Sequence, residues 1–245
     1  MKEIGIIGFG QFGQFMARYL ARWFDVAVCD VAERKDEAKK IGVKFADFEE
    51  AASKEIVIFS VPLKSFANVL VESSKHLRAG ALVIDVCSVK LKPIELMLKH
   101  LPQTVEIIGT HPLFGPQSGR EGIEGLKIAL CPVRTTRADE VKSFLSDELK
   151  LKVLEKSPEE HDKEMARVQA LTHFVARALF ELHVEDSELA TVSYEELMKA
   201  ASLLAEDSWE LFQTIQQGNP FADERRKTFI EKLNELEKRI SASDE

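Results

Sequence analysis

The chemistry this chain can perform centres on a few polar side chains set among glycines. The segment GTHPLFGPQSG, residues 109–119, holds one histidine, two prolines and three glycines. An imidazole ordinarily titrates near neutrality, so His111 is suited to accept a proton at physiological pH. The prolines stiffen the loop behind it. The glycines let the backbone approach a ligand, which makes Gly115 and the neighbouring Gln117 candidates for substrate contact. Upstream, DVCSVK (85–90) contributes Ser88, whose hydroxyl can orient an imidazole. A lone histidine usually has a structural role. His111 gains a chemical one from its position at the end of a strand, heading a loop of this composition.

A second cluster lies at the N-terminus. GFGQFG places Gly8, Gly10 and Gly13 in G-x-G-x-x-G spacing, with Phe9, Gln11 and Phe12 between them. The run follows a strand, opens a helix and has an acid, Asp30, about 20 residues on, which together mark a dinucleotide-binding turn. The first glycine allows the tight turn, the second lets the backbone approach a pyrophosphate, and the third lets helix and strand pack closely. The helix start supplies N–H groups and a favourable dipole for phosphate. Asp30 can accept from both ribose hydroxyls and would repel a 2′-phosphate, which favours NAD over NADP. Arg34 and Lys35 could grip such a phosphate or simply face solvent. Ser60, Val61 and Pro62, ending the strand EIVIFSV, fall where the nicotinamide half would cross, with backbone contact the safer expectation.

These residues need a scaffold, and the apolar pattern predicts one. Strands are expected at 3–8, 25–30, 55–61, 81–86, 105–110, 127–133 and 152–156. They are short, rich in Val and Ile and scarcely alternating, as in a parallel sheet buried on both faces. Helices fall between them at 11–23, 33–41, 63–76, 91–100 and 137–148. The alternation predicts an α/β, Rossmann-type doubly wound parallel sheet over residues 1–156. From Ser157 onward the pattern turns helical, with Pro158 at a first helical position and acids in the first turn. Helices are expected at 158–184, 193–217 and 221–241, giving a C-terminal all-helical substrate and dimerisation domain over 157–245. Three helices make a thin domain, so a homodimer through them is expected.

Bulk properties narrow the partners. The formal net charge is −8, and the 33 basic residues are interspersed with 41 acidic ones. Nucleic acid, which needs a clustered basic face, is therefore not expected as a partner. No run is long enough to span a bilayer, and the N-terminus lacks a signal-peptide apolar core, so a cytoplasmic protein is expected. Cys29, Cys87 and Cys131 match no metal or redox spacing, and the six histidines form no i, i+4 pair. No metal is expected, and the cysteines are taken as small buried hydrophobes.

With these residues in place, the chain resembles the prephenate and arogenate dehydrogenases of tyrosine biosynthesis. HPLFGP is similar to that family's H-P-[MI]-x-G signature, above all the plant arogenate form, and DVCSVK and GFGQFG stand where the family has its counterparts. The likeness continues through EEHDKEMARVQALTHFVARAL (159–179) and EDSWELF (206–212). It implies oxidative decarboxylation of a cyclohexadiene with NAD, NADP remaining possible. His111 is implied as base, Ser88 as its hydrogen-bonding serine, and His173 as a substrate-facing histidine. His161 matches a recurrent position too, but in a first helical turn it is assigned to capping or packing. Many bacterial members carry an arginine for the ring carboxylate where this chain has Ser202. Lys199, Arg225 and Arg226 are the candidates to replace it, each also readable as a solvated helix-face charge. Asp207, with Glu206 beside it, matches an acidic position of the plant-type members. Such a carboxylate would favour the ammonium of arogenate over the keto group of prephenate, unless it is plain surface charge. With nothing beyond residue 241 resembling a regulatory domain, inhibition by tyrosine would have to act at the active site.

Two other readings fit a dinucleotide fold. A β-hydroxyacid dehydrogenase or pyrroline-carboxylate reductase would share it, but the former should carry a glycine-rich segment and a lysine along the long helix, where this chain offers only Lys163, at the helix start. A non-catalytic dinucleotide sensor would have no need of Ser88 and His111.

Overall fold

The computed structural model describes residues 2–183, 187–205 and 207–242, so Glu206 and the end of the polar tail lie outside the described residues. The chain divides into two compact units, Met1–His161 and Asp162–Glu245.

The first unit is built on eight strands: β1 (Glu3–Ile7), β2 (Asp25–Cys29), β3 (Lys44–Phe45), β4 (Ile56–Phe59), β5 (Leu82–Asp85), β6 (Glu106–Pro112), β7 (Lys127–Arg134) and β8 (Lys152–Glu155). They form one sheet in the order β3-β2-β1-β4-β5-β6-β7-β8. Chain direction across the sheet reverses between β1 and β4, the switch point at which such sheets open a crevice for ligands. All neighbouring pairs are parallel except β6 and β7, which run antiparallel. A wholly parallel sheet was expected. The difference has a simple cause, because residues 113–126 contain no helix and so cannot make the covered crossover that a parallel return needs.

Both faces of the sheet's central strands are buried, which explains their weak alternation, while the edge strands β3 and β8 are largely exposed. One face (Ile4, Ile6, Ile58, Ile84, Ile108, Ile128) packs under α1 (Gln11–Leu20) and the segment α6 (Ala138–Ser143), which runs on into a π turn over Phe144–Glu148. The other (Val57, Phe59, Val83, Ile107) packs under α4 (Leu63–Ser73) and α5 (Leu91–His100). Two elements were not anticipated: the two-residue β3 and the helix α3 (Phe48–Ala52), started by Asp47, whose carboxylate accepts from Glu50 N. Both are too short to show a period. α2 (Lys35–Ile41) closes on Gly42 in the left-handed region. On the α1 face a cavity of about 430 Å³ lies between helix and sheet, walled by Phe12, Phe15, Tyr19, Ile58, Ile84 and Phe144 among others. The three cysteines are free and buried. Burial, with Asp30 adding to it, pushes the Cys29 thiol up to about 12, as suits a packing role.

The long helix expected from 158 is broken into α7 (Pro158–Met165), a π turn over Ala166–Ala170, and α8 (Leu171–Glu181). The second expected helix is two: α9 (Val192–Ala205) and α10 (Trp209–Gly218). The break is made by Ser208, whose hydroxyl accepts from Leu211 N and caps the second piece. α11 (Ala222–Ser241) completes the helical unit. Two buried amides tie it together: Gln216 Nε2 donates to Ala170 O at 2.7 Å, and Asn219 Nδ2 to Asp162 O at 2.7 Å. No helix among the described residues is long and apolar enough to cross a membrane.

Candidate active site

The turn between β1 and α1 brings the first predicted cluster together. Gly8 sits at φ +98°, and a Cβ there would lie 2.2 Å from Ser60 O. A Cβ on Gly13 would lie 2.2 Å from Gly8 O. The loops after β1 and β4 therefore abut at the switch point, with Ser60 and Val61 against Gly8. Gly10, by contrast, would meet nothing within 4 Å: its bare backbone borders open space, as an approaching pyrophosphate needs. Asp30 closes the loop from behind. Its Oδ2 accepts from Phe9 N at 2.7 Å and its Oδ1 from Ala32 N at 2.9 Å, with Arg34 Nε 4.0 Å away. Each carboxylate oxygen keeps a further lone pair for a ribose hydroxyl. Phe9 is buried in the core and Phe12 lines the cavity, so only their backbones border the turn, while Gln11 is exposed at the helix start. The cradle thus fits a dinucleotide by its bare Gly10, its helix start and its backing acid.

This separates the glycines by experiment. Gly13→Ala must push against backbone and is expected to lower unfolding stability by roughly 1–3 kcal/mol. Gly10→Ala should leave stability unchanged while weakening dinucleotide binding. Thermal unfolding and a cofactor titration of both variants check the pair, and equal stability losses would refute the distinction.

His111 stands near the end of β6, opposite Ala129 of β7. Thr110 and Pro112 on either side of it face the cavity under α1, so strand alternation turns His111 to the opposite face. There its Nδ1 lies 2.9 Å from Nε2 of His161 in α7, with both rings almost wholly buried and their centroids 5.1 Å apart. This partner is separated by fifty residues and was assigned to capping or packing from sequence. Ser88 is half-buried in the loop after β5.

That loop holds a pair the sequence reading passed over. Asp85 and Lys90, both fully buried, form an ion pair. Lys90 Nζ also donates to Thr110 O at 2.6 Å, while Thr110 Oγ1 donates to Asp85 O and Cys87 N to Asp85 Oδ1. The network stitches the end of β5 to the residue just before His111. Burial drives the Asp85 carboxyl upward, opposed by the Lys90 ammonium. An Asp and a Lys enclosing an otherwise small and apolar VCSV were the available signal.

The loop after His111 is anchored on α1. Phe114 packs edge-on to Phe15, and a Cβ on Gly119 would lie 2.6 Å from the Phe15 ring. Gly115 N donates to Ser118 Oγ at 2.9 Å and Gly119 N to Gly115 O, shaping a tight turn with Gln117 exposed at its tip.

In the helical unit His173 Nδ1 lies 3.6 Å from Asp207 Oδ2. Arg177, one turn beyond His173, donates from Nη2 to Asp207 O at 3.0 Å and lies over the rings of Trp209 and Phe212. Sequence reading did not single out Arg177. Arg226 is engaged by Gln216 and Asp223, whereas Lys199 and Arg225 are exposed. Burial, reinforced by the Arg177 cation, holds the His173 imidazole down at about 4. His173 is therefore neutral at pH 7, and its contact with Asp207 is one between a dipole and a charge. Between pH 6.5 and about 4 the unfolded chain binds a proton at this position that the folded chain does not. Stability should therefore fall as pH drops through that window, by roughly 3 kcal/mol in total, then level off. Denaturant titrations at several pH values test this, with His173→Gln expected to flatten the slope; an unchanged slope would refute it.

The strand order, the glycine turn at its switch point and the backing acid define a dinucleotide-binding domain of the Rossmann type, followed by a helical unit. Residues 16–153 match the nucleotide-binding domain of prephenate dehydrogenase, and residues 178–245 a TYRAAT1-like C-terminal domain. The chain belongs to the prephenate dehydrogenase family. It is 34% identical over 238 residues to arogenate dehydrogenase 1, chloroplastic, of Arabidopsis thaliana, covering 93% of this chain and 37% of that protein. It is 33% identical over 248 residues to a probable arogenate/prephenate dehydrogenase of Methanocaldococcus jannaschii, covering 95% of this chain and 55% of that one. The chain thus spans between about a third and just over a half of these two relatives. Among solved structures, prephenate dehydrogenase from A. aeolicus, in complex with hydroxyphenyl propionate and NAD+, superposes with a TM-score of 0.77 at 22% identity, covering 99% of this chain and 92% of that one.

Proposed function

We propose that this chain catalyses the NAD(P)-dependent oxidative decarboxylation of a cyclohexadienyl substrate in tyrosine biosynthesis, with arogenate favoured over prephenate. The observation that carries the reading is the glycine cradle at the β1–β4 switch point in the same unit as a buried, partnered histidine near the carboxyl end of β6. A bound nicotinamide would supply the hydride acceptor. His111 Nε2 takes the proton of the ring hydroxyl as hydride leaves the same carbon. Loss of the ring carboxylate as CO2 then leaves an aromatic ring. Ser88 is assigned to orienting the reacting hydroxyl. Gly8, Gly10, Gly13 and the first-turn amides hold the pyrophosphate, Asp30 the adenosine ribose, and the Ser60–Pro62 backbone the nicotinamide side. Gly115, Gln117, His173 and Asp207 are assigned to the substrate, with Asp207 as partner of an ammonium.

NAD is preferred because the Asp30 carboxylate would repel a 2′-phosphate, and the A. aeolicus relative was solved with NAD+. A homodimer is supported by α11, whose Ile230, Leu233, Leu236 and Ile240 recur along one side and are 44–66% exposed. Three free, buried cysteines suit a reducing cytoplasm, although the Arabidopsis relative is chloroplastic.

The test is steady-state reduction of NAD and NADP with arogenate and with prephenate. Turnover of either substrate, higher with arogenate, is expected, and Asp207→Asn should move the preference toward prephenate. Cofactor binding without turnover of either substrate would point instead to another oxidoreductase or to a sensor.

A further inference from the structure

The contact between His111 and His161 constrains more than position. Two imidazole nitrogens at 2.9 Å share one hydrogen, so one ring must donate and the other accept. If His161 Nε2 donated, His111 would carry its own proton on Nε2, the nitrogen left to face a reactant, and could not act as base there. If His111 Nδ1 donates, its Nε2 is the unprotonated nitrogen. An acceptor placed at Nδ1 therefore selects the tautomer whose Nε2 is unprotonated, the one that the role of base requires.

We propose that His161 is a positioning residue that holds His111 in the Nδ1–H tautomer, with its own proton on Nδ1, so that His111 Nε2 is the nitrogen presented to the substrate hydroxyl. The proposal rests on the reading of His111 as base. During the reaction the hydroxyl proton goes to His111 Nε2, while Nδ1–H stays donated to His161. The imidazolium so formed is stabilised by a neutral acceptor already in place, with no proton passing between the two rings. Burial of both side chains, at 4% and 2% exposure, keeps water from replacing that acceptor. His161 ends the first compact unit, at the start of α7, so the same residue that terminates the dinucleotide-binding unit sets the chemistry of its histidine.

The test uses the full chain with 15N-labelled histidine, free of substrate, so that its result does not depend on turnover. In the wild type the His111 resonances should show an unprotonated Nε2 and a protonated Nδ1. His161→Leu removes the acceptor and should shift His111 toward the Nε2–H form. His161→Gln, which offers a carbonyl oxygen at a similar reach, should restore the wild-type pattern. In steady state His161→Leu should lower kcat roughly 10- to 100-fold with KM little changed, and His161→Gln should recover most of it. An unchanged His111 tautomer in His161→Leu would overturn the proposal, as would equal kcat losses in the two variants at equal thermal stability. A correct tautomer pattern in a chain that turns over neither cyclohexadiene would instead fault the reading of the activity.

Discussion

Replacing His111 by asparagine is expected to lower kcat by about 10²–10⁴-fold, the range over which a positioned general base ordinarily acts. Asparagine retains polarity and much of the volume, so the buried end of β6 should keep its register against Ala129. It has no basic nitrogen. Hydride transfer would then have to proceed with the hydroxyl proton still in place or released to solvent. Dinucleotide affinity should hold, since the glycine cradle contacts Ser60 and Asp30 and not β6. Single-turnover measurement at saturating substrate, alongside cofactor titration, gives the answer. A variant within a few-fold of wild-type kcat would remove His111 from the chemistry. A variant that loses cofactor binding in parallel would show that the histidine is structural.

Lys90→Met should be the most damaging substitution to stability, at about 3–5 kcal/mol, because it strands a buried carboxylate. Lys90 is fully enclosed, and its ammonium serves both Asp85 and Thr110 O. Removing it leaves the Asp85 carboxylate with only the amide of Cys87 among the partners described above, and takes the Lys90 donor from the carbonyl beside His111. The single variant should unfold at markedly lower denaturant, whereas Asp85→Leu combined with Lys90→Met should recover part of the loss, since an apolar pair avoids the stranded charge. A loss below about 1 kcal/mol in the single variant would mean that the pair does not fasten the loop as its geometry indicates. Activity of the double variant is informative in its own right. If the network serves to aim His111, kcat should stay depressed after stability returns.

Much of this was legible in the sequence for a physical reason. Seven of the eight strands show as apolar runs, six of them largely buried in the sheet, and the glycine spacing encodes close approaches that only a missing Cβ permits, as at Gly8 and Gly13. What escaped was short, or depended on contacts far apart along the chain. β3 and α3 are shorter than any period that would reveal them. The antiparallel β7 follows from a connection that lacks a helix, which composition indicates only as a loop. The π turn ahead of His173 and the break at Ser208 interrupt a 3.6-residue rhythm that reads as continuous. The Asp85–Lys90 pair has a spacing that belongs to neither helix nor strand. No spacing at all encodes the meeting of His111 with His161, because it depends on where α7 returns to the sheet.

The cavity beneath α1 has a mechanical consequence. It opens partly on solvent, and the rings of Phe12, Phe15 and Tyr19 that line it lack packed neighbours on the side facing the opening. The helix that presents the phosphate-binding turn therefore rests on the sheet with less dispersion contact along this face than a close-packed seam would give it.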